Sequence, residues 1–267
     1  MPELPDVENY RRYLVRHALK QRIARVHVGD RRALRVPAAE LQRRLKGHSL
    51  KRTRRHGKHL LVDVDGGWLT MHFGMTGHLD YFDNLSEEPA SDRVRFDFAN
   101  GKHLGFVDAR LLGRVGFTDD ADEFLAERQL GPDALSKELD AKAFAARLEG
   151  RRGGLKAALM DQSVVAGIGN LYADEILFQA KLHPLTPVQQ LSAADRKRIH
   201  KIMRDVLETG IKSGAGTEGL YKRLPKSYLI PRRKAGAECP RCASKVKMIT
   251  AVGRTTYFCP KCQRRAA

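Results

Sequence analysis

Pro2 and Glu3 place an amine and a carboxyl group side by side at the start of the chain. Removal of Met1, which a small second residue permits, would leave Pro2 with a free secondary amine. An α-amino group titrates near about pH 8, so part of it is neutral at physiological pH and can attack a sugar carbon to form an iminium. Glu3 would then give or take a proton. The alternative is that Pro2 and Pro5 only shape the start of a helix.

The cysteines are the second set of residues whose types and spacing indicate chemistry. They form two Cys-x-x-Cys pairs, and sixteen residues separate Cys242 from Cys259. This spacing is typical of a structural zinc site with four thiolate ligands, whereas a redox motif needs one pair in a thioredoxin-like context. Between the pairs, two short alternating runs flank Gly253-Arg254 and predict a hairpin with Arg254 at its tip. The predicted ligands of one structural zinc ion are Cys239, Cys242, Cys259 and Cys262.

The charge of the chain restricts its partners. Its 267 residues carry 49 Lys and Arg against 31 Asp and Glu, a formal net charge of +18. Such a surplus favours a polyanionic partner, and nucleic acid is the usual one. No apolar run approaches the length of a membrane-spanning helix, so we expect no membrane partner. Clustered cysteines that bind metal suit a cytoplasmic protein, and a monomer is the default expectation.

The elements that would position these residues fall into two halves. Apolar residues at helical spacing predict one amphipathic helix over 4–19, and alternating runs predict β structure over about 60–117. Asp65-Gly66-Gly67 and Asn100-Gly101 are hairpin signals within that region. We therefore expect an α+β protein whose amino-terminal half is a β-sandwich with flanking helices.

The carboxy-terminal half has a helical pattern. An acidic segment without strand periodicity begins at about residue 119 and leads to Gly131-Pro132, where we place the domain boundary. Ser192 is the expected N-cap of a helix that Gly210 should end. Small residues around Gly167-Ile168-Gly169-Asn170 predict a helix–turn–helix whose turn amides attract phosphate. The predicted domains are 1–130, a linker at 131–140, a helical DNA-binding domain at 141–235 and a zinc finger at 236–267.

Four stretches of the sequence resemble one protein family. The chain is similar to the formamidopyrimidine-DNA glycosylase and endonuclease VIII family, and it is closest to the first branch. The similar stretches are the opening Pro-Glu-Leu-Pro-Asp-Val-Glu, the His-Phe-Gly-Met-Thr-Gly run at 72–77, the Gly-Ile-Gly-Asn run at 167–170 and the paired cysteines. Three residues depart from the pattern of that family. Asp6 stands where the family has Glu, Leu111 replaces an arginine and Leu112 replaces an aromatic residue.

The resemblance implies a bifunctional DNA glycosylase and AP lyase that removes oxidised bases by β- then δ-elimination. It implies a helix–two-turn–helix around Asn170 and duplex DNA with damaged bases or abasic sites as the partner, held in a basic cleft between the domains. The implied catalytic residues are Pro2, Glu3, Lys58 and Arg254. The implied DNA-binding residues are Met75 and Arg110, which would fill the void left by a flipped nucleotide, and Arg151, Lys156, Asn170 and Glu175.

Other functions remain open at this point. A catalytically silent, zinc-stapled DNA-binding protein would need only the basic charge and the finger, and so would an RNA-binding factor. The basic run Arg54–His59, taken alone, is a solvated charge cluster, and Met75 taken alone is a core residue. Only the joint presence of Pro2, Glu3 and Lys58 favours the enzyme.

Overall fold

The computed structural model describes residues 2–264. Its internal contacts divide the chain into two compact units, Met1–Arg128 and Gln129–Ala267. Among the described residues, no helix combines the length and the hydropathy that crossing a membrane requires.

The first unit is a β-sandwich with three helices. Its two antiparallel four-stranded sheets have the orders β1-β6-β7-β5 and β2-β3-β4-β8. Apolar residues of both sheets and of the first helix form one continuous core. The helices are α1 (Leu4–His17), α2 (Ala38–Leu45) and α3 (Ala121–Glu127), and the strands are β1 (Ile23–Val28), β2 (Arg52–His56), β3 (His59–Asp63), β4 (Trp68–His72), β5 (His78–Phe82), β6 (Asp92–Phe98), β7 (His103–Val107) and β8 (Arg114–Thr118).

The two predicted hairpins are confirmed. Asp65, Gly66 and Gly67 all have positive φ angles and join β3 to β4. Gly101, at φ +81°, turns the chain between β6 and β7. These turns are predictable because local backbone geometry selects the residues.

Two elements differ from the sequence-based expectations. Strand β2 lies outside the predicted β region, and its Arg54 and Arg55 pair with Leu61 and Leu60 of β3. The acidic segment after residue 119, where no helix was predicted, contains α3, because the Asp120 side chain accepts hydrogen bonds from the amides of Asp122 and Glu123 and caps it.

The second unit contains five helices and a hairpin among its described residues. Its segment 131–140, predicted as a linker, is packed into the unit: Ala134 and Leu139 are buried, and the Ala134 amide donates to the Ala166 carbonyl. The elements are α4 (Ala141–Leu148), α5 (Leu155–Met160), α6 (Asn170–Gln179), α7 (Ala193–Lys212), α8 (Leu220–Arg223), β9 (Lys247–Ala251) and β10 (Arg254–Phe258).

Helix α7 begins as predicted but ends later. Ser192 caps it through reciprocal hydrogen bonds with Asp195, at 2.7 Å from the Ser192 hydroxyl to the carboxylate. The helix passes Gly210 and ends at Lys212, so the predicted stop at this glycine is wrong. Gly210 is needed for packing, because a Cβ there would lie 2.4 Å from the Tyr172 hydroxyl oxygen.

Candidate active site and nucleic-acid interface

Pro2 immediately precedes Glu3, which is the N-cap residue of α1. The Glu3 amide donates to Asp6 Oδ2 at 2.7 Å, and the Glu3 side chain accepts from the Asp6 amide. Glu3 is 1% exposed, so this reciprocal pair fixes a carboxyl group beside Pro2. Burial raises the pKa of Asp6 to about 6. The predicted removal of Met1 concerns a residue outside the described part of the chain.

Lys58 lies in the tight turn between β2 and β3. Just before this turn, the Arg55 guanidinium donates to the Gly57 carbonyl at 3.3 Å and pairs with Glu8 of α1 at 3.3 Å. Burial favours a higher pKa for Glu8, but hydrogen bonds and charges of nearby arginines outweigh it and lower the pKa to about 2. This ion cluster ties the Lys58 turn to the helix that follows Pro2, and its other arginines are Arg11 and Arg12.

A buried carboxylate organises the two loops that carry Met75 and Arg110. Asp108 is 1% exposed and accepts hydrogen bonds from the Thr76 hydroxyl at 2.5 Å and from the Gly113 amide at 2.6 Å. The Arg110 amide donates to Asp108 at 3.3 Å. No motif in the sequence predicted a role for Asp108, although this residue opens the segment that contains Arg110.

The same two loops expose two apolar side chains. Met75 is 39% exposed and Leu112 is 44% exposed, whereas most large apolar residues of this unit are buried. The loops touch through backbone, because a Cβ at Gly74 would lie 2.4 Å from the Gly113 amide nitrogen. The structure thus places Met75, Arg110 and Leu112 on two loops that touch each other.

Lys156, a predicted DNA contact, is fully buried in this structure. Its ammonium pairs with Asp174 Oδ1 at 2.6 Å and donates to Asn170 Oδ1 at 2.7 Å and to the Thr256 hydroxyl at 2.6 Å. Arg233 pairs with the other oxygen of Asp174 at 2.8 Å. Lys156 therefore joins α5, α6 and the β9–β10 hairpin within the second unit.

Glu175, also predicted to bind DNA, is buried as well and makes no contact with solvent. Its carboxylate accepts from the Ile230 amide at 2.8 Å and from the Gln179 side chain at 2.7 Å. Burial raises the pKa of Glu175 to about 7. Helix α6 is buried almost all around, so its sequence gives no polar face from which this orientation could be inferred.

Three of the predicted DNA contacts in the second unit lie where a ligand can reach them. Asn170 is the first residue of α6, and its amide group donates to the Thr255 carbonyl at 3.1 Å. Arg254 is exposed and pairs with Ala251 across the hairpin, so it begins β10 beside the tip formed by Val252 and Gly253. Arg151 is 38% exposed and pairs with Asp161 at 2.7 Å.

The four cysteines form a compact cluster. All four sulfur atoms lie within 4.8 Å of one another, with 3.9 Å between Cys239 and Cys262 and 3.5 Å between Cys242 and Cys259. A tetrahedral zinc ion with Zn–S bonds of about 2.3 Å sets its sulfur ligands about 3.8 Å apart. The donor set and spacing therefore fit zinc.

Comparison with known proteins identifies the family. The model of the formamidopyrimidine-DNA glycosylase N-terminal domain matches residues 1–115, that of its H2TH domain matches 130–221, and that of a zinc finger found in FPG and IleRS matches 236–265. The formamidopyrimidine-DNA glycosylase of Chloroflexus aurantiacus is 34% identical over 98% of both chains. This chain belongs to the formamidopyrimidine-DNA glycosylase family.

Other members of the formamidopyrimidine-DNA glycosylase family are similar to this chain along nearly its whole length. The enzyme of Geobacter metallireducens is 36% identical and covers 98% of this chain and 100% of its own. A structure of MutM with DNA containing carbocyclic 8-oxo-G has a TM-score of 0.90 at 28% identity, over 99% of this chain and 100% of that one. The Lactococcus lactis enzyme, bound to DNA containing an AP site, has a TM-score of 0.89 at 28% identity and covers 98% and 100% of the two chains.

The predicted family, the α+β fold and the DNA glycosylase class are thereby confirmed. The zinc-finger match and the cysteine cluster together support zinc binding.

Proposed function

We propose that this protein is a bifunctional DNA glycosylase and AP lyase that excises oxidised bases from duplex DNA. It would act in base excision repair, in the cytoplasm and as a monomer. Support comes from the family membership and from the relatives solved with DNA that contains an AP site or 8-oxo-G. The basic composition suits duplex DNA as the substrate.

In the proposed reaction the nitrogen of Pro2, freed of Met1, attacks C1′ of the flipped nucleotide. The N–C1′ bond forms as the bond from C1′ to the base breaks, and the base leaves with that electron pair. Loss of the amine proton and protonation of the ring oxygen by Glu3 open the sugar and give an iminium. The iminium makes the C2′ proton acidic, so its removal expels the 3′ phosphate. Loss of a C4′ proton then expels the 5′ phosphate.

Lys58 and Arg254 supply the remaining proton transfers in this proposal. Lys58 serves the first elimination and Arg254 the second, and both cations would hold backbone phosphates during these steps. The Glu8–Arg55 ion pair limits the movement of the turn that carries Lys58.

The observation that carries the proposal is the arrangement of Pro2 and Glu3. A carboxyl group that is 1% exposed and held by a reciprocal pair with Asp6 is costly for a protein whose first residues only begin a helix.

Four of the other predicted residues bind DNA directly in this proposal. Met75 and Arg110 fill the void left by the flipped nucleotide, with Leu112 as an apolar wedge that cannot stack on a base. Asn170 and Arg151 bind backbone phosphates. One zinc ion, bound by the four cysteines, holds the hairpin that carries Arg254.

Borohydride reduction of the iminium on abasic duplex DNA tests this function. The wild-type protein should form a covalent complex, and Pro2→Gly should lose it by at least about 100-fold while still binding the duplex. Glu3→Gln should slow base excision more than trapping on a preformed abasic site. Undiminished trapping by Pro2→Gly would reject the proposed nucleophile.

A further inference from the structure

The segment 83–93, here called the strap, connects β5 to β6 and is tied to the loop that carries Arg110. The Asp108 amide donates to the Ser91 carbonyl at 2.9 Å. The Arg93 guanidinium donates to the Asp108 carbonyl at 2.8 Å. The strap therefore holds both backbone polar groups of Asp108, the residue whose side chain also joins the loops of Met75 and Arg110.

The carboxyl group of Asp92, within the strap, is enclosed by the protein. Asp92 pairs with Val107 on the face of the β1-β6-β7-β5 sheet that lies opposite the core. Gly105 leaves room for the carboxyl group, because a Cβ there would lie 2.9 Å from Asp92 Oδ2. Both carboxyl oxygens are shielded from solvent, and neither has a hydrogen-bond partner among residues 2–264. An ionised carboxylate in this position is therefore costly.

The charges around Asp92 do not compensate for this enclosure. Arg95 favours the ionised form, but its guanidinium already pairs with Glu88 at 2.6 Å and with Asp97 at 2.7 Å. Burial raises the pKa of Asp92 to about 7, and the charge of Glu88 raises it further. The strand registers place five other ionisable groups on the same face of the sheet, which are Arg25, His27, His78, Asp80 and His103.

We infer that the strap is a pH-sensitive device that holds the Arg110 loop in place while Asp92 is protonated and loosens as Asp92 ionises. Asp92 is a positioning residue in this device, because it acts on the loop through the hydrogen bonds of Ser91 and Arg93 to Asp108. The inference rests on the proposed function in one respect, the role of Arg110 in binding DNA.

The direction of the pH effect follows from the two states of the strap. In a loosened strap Asp92 reaches solvent, and its pKa returns towards the ordinary value of 3.8. The closed strap thus holds a proton over a range where the open strap has lost it. The stabilisation of the closed strap by this proton is complete below about pH 3.8 and is lost as the pH rises to about 7.

Hydrogen exchange of the free protein, followed by NMR, measures the hold of the strap on Asp108. The protection factor of the Asp108 amide, corrected for the intrinsic effect of pH on exchange, should fall at least about tenfold between pH 5.5 and 7.5. Asp92→Asn should abolish this fall, because the amide has the shape of the protonated acid and cannot ionise. Asp83→Asn removes an exposed carboxylate from the same strap and should behave as wild type.

Glu88→Gln is a second variant that keeps the inference testable if Asp92→Asn does not fold. It removes an acid that raises the pKa of Asp92 and frees Arg95 to pair with Asp92, so the fall in protection should end at a lower pH. Protection that does not vary with pH in wild-type protein would overturn the inference. So would a fall of equal size in wild type and Asp92→Asn.

Binding to a duplex with a tetrahydrofuran abasic analogue tests the link to Arg110. Asp92→Asn should bind about threefold more tightly than wild type at pH 8, where the wild-type strap is loosened, and equally at pH 5.5. Arg110→Ala should remove the difference at pH 8. Equal affinities of wild type and Asp92→Asn at both pH values would overturn the inference.

The proposed function has a separate readout. Borohydride trapping by the wild-type protein on abasic DNA reports on catalysis, whatever the exchange experiment shows. A protein that traps abasic DNA but lacks the Asp92-dependent fall in protection refutes only the strap.

Discussion

Glu175 is a carboxyl group that is buried inside the second unit, away from solvent. It is fully buried on α6, and it accepts hydrogen bonds from the Ile230 amide and from Gln179. Burial raises its pKa to about 7, so the folded state holds a proton over a range where the unfolded chain has lost it. The stability from this group is complete below about pH 4.5 and is lost as the pH rises to about 7.

Glu175→Gln should therefore gain stability relative to wild type as the pH rises. The amide keeps an acceptor for Ile230 but carries no charge to bury. The difference in the free energy of unfolding should grow by about 3 kcal/mol between pH 4.5 and 7.5, measured by urea unfolding at each pH. Glu218→Gln makes the same substitution on an exposed side chain and serves as the control. A difference that does not vary with pH would contradict this account.

Lys156 gives a second prediction at the residue level. Lys156→Met should leave Asp174 with only part of its buried charge compensated, because Arg233 pairs with the other oxygen. The free energy of unfolding should fall by about 3 kcal/mol. Urea unfolding followed by circular dichroism measures this, with the exposed Lys142→Met as the control. Equal stabilities of the two variants would show that the buried network contributes little.

The loop that carries Met75 and the loop that carries Leu112 touch each other, and we expect them to act as one element. Substitutions at two glycines test this expectation. Gly74 and Gly101 both have positive φ angles, but only Gly74 has a backbone neighbour where its Cβ would stand. Gly74→Ala should push the Met75 loop away from Gly113 and weaken binding to a duplex with an abasic analogue by about tenfold. Gly101→Ala should cost only backbone strain, about 1 kcal/mol of stability. Equal DNA affinities for the two variants would reject the shared element.

The zinc finger packs as part of the second unit. Cys239 and Cys259 are buried against Phe178 of α6 and Leu229, and Arg241 donates to the Phe178 carbonyl at 3.0 Å. Loss of the metal should therefore disturb the end of α6 as well as the hairpin.

Cys259→Ser should lose zinc and most DNA affinity, because a finger this small cannot bury a core without metal. Arg254→Ala is the matched variant: it should retain zinc but lower the salt slope of DNA binding by about one unit. Metal content by atomic absorption and DNA binding by fluorescence anisotropy give the two readouts. Retention of zinc and full DNA affinity by Cys259→Ser would contradict the predicted ligand set.

Across the whole molecule, the features that could be predicted from the sequence are those that neighbouring residues determine. The cysteine spacing, the two glycine hairpins and the Ser192 cap each depend on a few neighbouring residues. Strand β2 was missed because its arginines give no apolar alternation, and pairing with β3 makes it a strand. Lys156 points inward and Gly210 must lack a side chain because of contacts with residues that are distant in sequence. No local sequence pattern therefore reveals either feature.

The central claim is that Pro2 is the nucleophile, and peptide mapping of the trapped complex tests it most directly. After borohydride reduction on abasic DNA, digestion of the protein and the DNA should leave a sugar remnant on a single peptide. This peptide should begin at Pro2, lack Met1 and carry the added mass on the Pro2 nitrogen. An adduct on Lys58 or another lysine, or Met1 retained in the trapped protein, would contradict the account.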